Sequence, residues 1–275
     1  MLLSLSKRKR LVPVTICINK WKDDGGLKPG SNRDKQIKMK HTLLISVGFL
    51  FLMGACNRKD NDPSGVDAEY IFSEVYQNQW KGSPDHWRWE NGLLTGETTQ
   101  NNPVKQSAFL VWNREVEDFI LNISFRISSK GNSGIYYRCE QGPDGYDNLL
   151  GYQADIDGQN TYTGIVYENF INRHHKILAA QGQMVRISEI DSVLSFPFFT
   201  KDQSIKEYVK DNAWNEYELI VKGTLIVQKL NGHLVSMVED RAKDRMKKGL
   251  FGFQLHQGPP MKVEFKDARF RDLSP

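Results

Sequence analysis

Short runs of alternating apolar and polar residues cover most of the chain after residue 66. The segment 121–127 is a clear example, because Leu121, Ile123 and Phe125 alternate with polar residues. Successive side chains of a β-strand point to opposite faces of a sheet, so a period of two predicts a half-buried strand. Comparable runs occur at 134–139, 217–222, 224–230, 233–238, 249–256 and 261–270.

Turn residues separate these runs and favour an all-β domain. Asn-Gly pairs at 91–92 and 231–232 are typical of two-residue hairpin turns. Helical patterns are confined to two short stretches, 202–210 and 240–247. Many short strands joined by turns predict a β-sandwich. With no further linker or repeat in view, residues 67–275 are expected to form one domain.

An apolar run near the N terminus predicts export. A short positive start at 40–41 precedes an apolar run over 43–53, and two small residues precede Cys56. This is the layout of a secretory signal peptide over 39–55, since a membrane span needs about 20 apolar residues. The small residues before Cys56 resemble a bacterial lipobox. We therefore expect cleavage before Cys56, lipidation of Cys56, a polar tether over 56–66 and a lipid-anchored place in the cell envelope, in the outer membrane or facing the periplasm.

The formal net charge of +4 comes from residues 1–38. They hold 10 of the 37 Lys and Arg residues and 3 of the 33 Asp and Glu, and residues 39–55 add one Lys. Residues 56–275 therefore carry 26 basic and 30 acidic side chains, a net of −4. This balance excludes a nucleic-acid partner, which needs a basic surface. Residues 1–38 are expected to be a disordered or untranslated extension ahead of a true start at Met39.

Common catalytic layouts do not occur in the sequence. It contains no Cys-x-x-Cys, His-Glu-x-x-His, P-loop or Gly-x-Ser-x-Gly motif. Glu189 and Asp191 begin the Glu-x-Asp-x-x-Glu pattern of retaining endoglucanases, but Leu194 stands where the acid/base Glu is required. Hydrolysis by a pair of carboxylates is therefore excluded on that strand.

Polar side chains instead recur at alternate positions of several strands. Those predicted to share a face are Tyr136 with Arg138, Gln153 with Asp155 and Asp157, and Gln254 with His256. Buried charges need partners, so Arg138 and Arg173 are expected to pair with nearby carboxylates. A solvated outer face with ordinary ion pairs fits the same alternation. His256, at the end of a strand beside amides and carboxylates, is a candidate general base.

The motifs of this region, in order, resemble the 3-keto-disaccharide hydrolase domain family. The matching stretches are Trp87–Gly96, Asp118–Arg126, Gly131–Arg138, Gly151–Ile156, Trp214–Asn215, Leu230–Gly232 and Gly249–His256. The resemblance implies a concanavalin A-like jelly-roll sandwich of two antiparallel sheets. The family is common among Bacteroidetes lipoproteins, which agrees with Cys56. One departure is Gln153-Ala154-Asp155, where much of the family has Glu-x-Gln.

The resemblance also implies a reaction, the cleavage of glycosides oxidised to a 3-ketone by C2 deprotonation, β-elimination and hydration. It assigns the base to His256 or Glu168 and stabilisation of the enolate to Arg138, with or without Arg173. The substrate-binding residues it implies are Gln153, Asp155, Asp157, Tyr136, Tyr167, Arg173 and Gln254. It leaves open a divalent metal ion on Asp155, Glu168 and His256. The alternative is a lectin-like surface module that binds carbohydrate without catalysis.

Overall fold

The computed structural model describes residues 67–143, 145–169, 173, 176–200 and 203–275. The predicted extension (1–38), signal peptide (39–55), lipidated Cys56 and tether (56–66) lie outside these ranges and stay predictions. None of the helices in the described ranges has the length and apolar character that a membrane span requires.

The regular secondary structure of the described chain consists almost entirely of β-strands. In chain order these are β1 (Glu69–Tyr70), β2 (Trp80–Lys81), β3 (Trp87–Glu90), β4 (Leu93–Thr98), β5 (Ala108–Val116), β6 (Phe119–Ile127), β7 (Asn132–Gly142), β8 (Gly145–Asp157), β9 (Val166–Glu168), β10 (Ile177–Ala179), β11 (Gln183–Ile187), β12 (Val193–Pro197), β13 (Asn215–Lys222), β14 (Leu225–Leu230), β15 (His233–Asp240), β16 (Gly249–Leu255) and β17 (Met261–Asp272). A one-turn helix α1 (Glu74–Gln77) and a 3-10 turn (Ile205–Glu207) join them.

The strands form two sheets. The larger has the order β12-β11-β15-β14-β13-β6-β17-β4-β3, with β1 also paired to β17, and the smaller has the order β10-β9-β8-β7-β16-β5-β2. This confirms the predicted all-β jelly-roll sandwich. Pairing is antiparallel with one local exception among the described strands, since β11 runs parallel to β15.

Aromatic side chains fill the space between the sheets. Trp80 stacks on Trp112 with ring centroids 5.6 Å apart, and Phe251 and Phe253 pack against them. Each buried aromatic removes about 150–250 Å² from water, so this core fixes the orientation of both sheets. The residues that alternate with it on the smaller sheet must therefore point outward.

The turns confirm the hairpin predictions and correct one predicted helix. Asn231 and Gly232 both have positive φ, 48° and 83°, as a type I′ turn requires, and the turn at 91–92 is alike. In the described part of the stretch 202–210, which begins at residue 203, the helical structure is limited to the 3-10 turn at Ile205–Glu207. The predicted helix over 240–247 is wrong, because Asp240 ends β15 and its carboxylate accepts the Ala242 N–H (3.0 Å), which turns the chain.

Candidate functional site

A cavity of about 430 Å³ opens on the outer face of the smaller sheet. On β8, Tyr152, Ala154 and Ile156 face the core, so Gln153 and Asp155 point to the opposite face and line the cavity. The volume lies within the range of small-molecule sites. The outer face of this sheet is therefore the place where the fold offers a concave, polar surface.

Strand register sets the polar side chains in rows. Tyr136 of β7 lies opposite Gln153 of β8, which lies opposite Tyr167 of β9. In the neighbouring row, Gly134 lies between Asp155 and Gln254 of β16. The predicted residues that line the cavity are Tyr136, Gln153, Asp155, Tyr167, Gln254 and His256.

Two glutamine amides form a connected floor. Gln153 Nε2 donates to Gln254 Oε1 (3.1 Å), and Gln254 Nε2 donates to Ser107 Oγ (3.1 Å) and the Tyr136 hydroxyl (3.3 Å). Gly134 makes this possible, because a Cβ there would lie 2.7 Å from Gln153 Cγ. The bonds fix which end of each amide donates, which suits the floor to sugar hydroxyls.

Asp155 is the buried acid of this floor. It is 7% exposed, and no described residue offers a hydrogen bond to its Oδ1. Burial, with a further contribution from the charge of Asp157, raises the pKa of Asp155 well above its usual range. A carboxyl group whose pKa is raised keeps its proton to a higher pH, and in its protonated form it can donate a hydrogen bond.

The two tyrosines beside Asp155 also keep their protons. Burial raises the pKa of Tyr136 well above its usual value and raises that of Tyr167, and the proximity of Asp155 adds to both effects. Each phenol is thus available as a hydrogen-bond donor toward the cavity.

His256 follows β16 at the cavity edge and is partly exposed. Its backbone N–H donates to Asn132 O (3.1 Å), and its ring Nδ1 lies 2.6 Å from Gln257 O. A carbonyl oxygen only accepts, so Nδ1 carries the proton in the neutral ring and the lone pair is on Nε2. This tautomer supplies a proton acceptor at the cavity.

Arg138 does not line the cavity, which corrects the sequence prediction. The register shifts between Tyr137 and Glu140, and Arg138 has a φ of 51°, so a bulge interrupts the alternation. The buried guanidinium donates to Glu117 O (2.8 Å), Gly223 O (2.9 Å) and Asp118 Oδ1 (2.8 Å). Arg138 therefore ties together two turns, and its guanidinium lies away from the cavity where the resemblance implied an enolate-stabilising group.

Glu168 and Arg173 also lie away from the cavity. Glu168 follows Tyr167 on β9 and so points to the other face, into the space between the sheets. There Arg173 lies 3.0 Å from both Glu168 Oε1 and Asp240 Oδ2, and Tyr152 donates to Asp240 (2.6 Å). The structure therefore does not bring Glu168, the implied base, or Arg173, an implied substrate ligand, to the cavity, because both side chains are buried in this cluster.

Asp157 shapes a loop and does not line the cavity, contrary to its predicted role in binding. Its carboxylate accepts the backbone N–H groups of Gln159 (2.8 Å), Thr161 (3.2 Å) and Tyr162. The loop after β8 is thereby held over the cavity, with Tyr162 at its rim.

The predicted metal ligands do not come together. Asp155 and His256 line the cavity, but Glu168 lies on the other face of the sheet. Among the residues that the structure describes, no group of three or more His, Cys, Asp or Glu side chains could hold a metal ion. The residues present therefore do not fit the metal site that the resemblance left open.

Several lining residues were not predicted from the sequence. They are Ser107, Asn132, Tyr162, Ile165, Asn169, Lys176 and Ile177. Asn132 could have been predicted, because it is the first residue of the Asn-Ser-Gly-Ile motif. The others lie in loops or at strand ends, where periodicity gives no information.

A family profile decides which group of proteins this sandwich belongs to. The profile of the 3-keto-alpha-glucoside-1,2-lyase-like domain matches residues 67–271. The chain belongs to the 3-keto-alpha-glucoside-1,2-lyase-like family. No curated protein matches the chain.

The solved structures that are similar to this family member have low sequence identity to it. A protein of Parabacteroides distasonis ATCC 8503, provisionally designated a glycosyl hydrolase, has a TM-score of 0.50 at 17% identity, over 76% of this chain and 94% of that one. A second such protein of the same organism has a TM-score of 0.49 at 18% identity, over 75% and 99%. The carbohydrate-binding module CBM66 of Bacillus subtilis has a TM-score of 0.45 at 14% identity, over 70% and 96%.

The family gives the broad function. As a 3-keto-alpha-glucoside-1,2-lyase-like protein, this chain is of the glycoside hydrolase-like or carbohydrate-binding kind, with a sugar as its partner. The structural likeness, at these identities, adds the fold alone.

Proposed function

We propose that this protein cleaves 3-keto-glycosides by removing the C2 proton, eliminating the C1 substituent and adding water. The observation that supports this most is that one hydrogen-bonding floor carries both a proton acceptor, His256, and a buried carboxyl group, Asp155, whose Oδ1 has no hydrogen-bond partner among the described residues. That combination suits proton abstraction next to a ketone, which needs one base and one donor at the developing oxyanion.

His256 is the proposed base. The ketone at C3 acidifies the C2 proton, which passes to Nε2 of His256. The electrons of the C2–H bond form a C2=C3 double bond, and negative charge develops on O3. The neutral Asp155 donates a hydrogen bond to O3, a role that the family resemblance implied for Arg138.

Elimination and hydration complete the proposed reaction. The enolate returns to the ketone as the C1=C2 bond forms and the bond from C1 to the leaving oxygen breaks. The imidazolium of His256 returns its proton to that oxygen. Water then adds its hydroxyl to C1 and a proton to C2. The floor of Gln153, Gln254 and Tyr136 is suited to hold the remaining hydroxyls.

The proposal is tested with 3-keto-glucosides in D2O, by following aglycone release and deuterium incorporation at C2. We expect turnover and exchange by the wild-type protein. His256→Ala removes the base and is expected to lower kcat/KM by about 10²–10⁴-fold. His233→Ala is the matched control, because His233 is an exposed histidine of β15 away from the cavity.

Two results would count against the proposal. Absence of both release and exchange with several 3-keto-glycosides would overturn it. Sugar binding without turnover, with only a modest change in affinity on His256→Ala, would favour the non-catalytic carbohydrate-binding module. The lipid anchor at Cys56 and the envelope location remain separate predictions from the sequence.

A further inference from the structure

The cavity has two chemically different ends, set by the order of the strands. Toward β7, β16 and β5 it presents Asn132, His256, Gln254 and Ser107, whose side chains all carry hydrogen-bonding groups. Toward β9 and β10 it presents a different surface, rich in aromatic and aliphatic side chains. The hydrogen-bonding end of the cavity suits a hydroxylated sugar ring, whereas the other end suits a less polar part of a ligand.

The apolar end is built by register and by the loop after β8. Tyr167 of β9 lies directly opposite Ile177 of β10, and Ile165 and Tyr162 of the loop line the same end. Ile177 is 48% exposed and Tyr162 is 46% exposed. Large apolar side chains that stay exposed at the rim of a cavity mark a surface for a ligand.

Tyr162 is exposed but its backbone is held firmly. Asp157 binds the N–H of Tyr162 and of the residues before it. From the other side, Gln181 Nε2 donates to the carbonyl oxygens of Asn160 (3.1 Å), Thr161 (3.2 Å) and Thr163 (2.7 Å). A ring carried on a fixed backbone loses little freedom when a ligand stacks on it.

Lys176 adds a cation to this end. Its side chain is exposed and lines the cavity next to Ile177. Asn169 lies at the same end but its amide donates to Leu149 O (3.4 Å), so it is engaged within the fold. An ammonium group beside stacking surfaces stabilises the negative charge that develops on a phenolic leaving oxygen before that oxygen receives its proton.

We infer that the β9–β10 end is a leaving-group subsite for aryl aglycones, with Tyr162 as the residue that determines this specificity. The inference rests on the proposed function, since it assigns the substrate class as 3-keto-glycosides of phenols. The sugar lies over the amides, and the aromatic ring lies between Tyr162 and the Tyr167–Ile177 pair.

The test compares kcat/KM for an aryl, a methyl and a glucosyl 3-keto-glucoside in wild type and Tyr162→Ala. Each substrate is compared with itself across variants, so its intrinsic reactivity cancels. We expect Tyr162→Ala to lower kcat/KM about tenfold for the aryl substrate and less than about twofold for the methyl substrate. Tyr162→Phe keeps the ring and is expected to keep the preference. Tyr70→Ala is the control, because Tyr70 is exposed on β1, away from the cavity.

Equal losses for the aryl and methyl substrates, or an equal loss for the aryl and glucosyl substrates, would overturn the inference. A second arm does not depend on turnover: binding of unoxidised 4-nitrophenyl glucoside and methyl glucoside is measured by calorimetry. Tighter binding of the aryl compound, lost in Tyr162→Ala, supports the subsite even if no 3-keto-glycoside is cleaved and the proposed function fails. Equal binding of the two compounds overturns it.

Discussion

Asp155 is a carboxyl group that the fold keeps out of water next to a cavity. Burial raises its pKa well above the usual range, and no described residue donates to its Oδ1. The unfolded chain releases this proton near pH 3.9, whereas the folded chain holds it to higher pH. The folded state then binds more protons than the unfolded state, so stability falls as pH rises from about 4.

The change Asp155→Asn tests this charge state. The variant keeps the shape but has no proton to lose, so it is expected to be the more stable form at pH 7.5, by about 1–2 kcal/mol. The difference should shrink toward pH 4.5, and turnover should fall in the same variant. Urea denaturation at both pH values measures the difference in stability between the variant and wild type. The control is Asp85→Asn, a change at an exposed aspartate. A variant less stable than wild type at pH 7.5 would contradict a neutral Asp155.

Some of the individual residues of the site could be predicted from the sequence. Alternation alone placed Gln153, Asp155 and Gln254 on one face, because core residues separate them along their strands. The same rule should have separated Tyr167 from Glu168, since neighbours in a strand cannot face the same side. Tyr162 carried no signal, because its position depends on a loop that Asp157 and Gln181 hold through backbone groups.

Within β7, one small residue and one bulge decide what the cavity contains. Gly134 leaves room for the Gln153 side chain to lie across the strand and reach Gln254. Four residues later, the bulge at Arg138 turns the guanidinium away from the cavity. A bulge adds a residue to one strand, so a strict period of two fails beyond it. The sequence does not predict this bulge. A positive φ is usual for Gly and uncommon for other residues, and the residue at this position is Arg138.

Gly134→Ala tests the close approach. The added methyl would lie 2.7 Å from Gln153 Cγ, so Gln153 must move and its bond to Gln254 is lost. We expect a fall in kcat/KM of about tenfold or more and a stability loss of about 1–2 kcal/mol. In a double-mutant cycle, Gln153→Ala removes the obstacle, so the double variant should be no less stable than Gln153→Ala alone. Additive losses would show that the two positions do not collide.

Across the whole molecule, a buried ionic cluster joins the two sheets. Arg173 lies between Glu168 of β9 in the smaller sheet and Asp240 of β15 in the larger. Burial raises the pKa of Glu168 to about 8; Arg173 opposes this shift, and the charge of Asp240 adds to it. Two acids thus share one guanidinium, and at neutral pH Glu168 largely keeps its proton. No sequence pattern links residues 168, 173 and 240, so this contact is a property of the folded sandwich.

Stability should therefore depend on pH through Glu168. The unfolded carboxyl titrates near pH 4.3 and the folded one near 8, so stability falls as pH rises through this window. Between pH 5 and 8, we expect Glu168→Gln to lose less stability than wild type, by on the order of 3 kcal/mol. Guanidinium denaturation across this range measures it, and a residual slope from Asp155 remains in both proteins.

The control for this change is Glu218→Gln, since Glu218 forms a half-exposed pair with Lys229 on the larger sheet. That variant should keep the wild-type slope. An unchanged slope in Glu168→Gln would mean that Glu168 is ionised in the folded protein.

Cys139 follows the bulge and occupies the outward position that a regular strand would have given to Arg138. Cys139 packs on Gly151, where an added methyl group would lie 2.8 Å from Cys139 Cα. Burial raises the pKa of the Cys139 thiol well above its usual value. Oxidants and alkylating reagents attack the thiolate, so the native protein protects this cysteine from both. The rate at which Cys139 is alkylated in native buffer, measured by mass spectrometry of its peptide, therefore reports how often β7 and β8 separate.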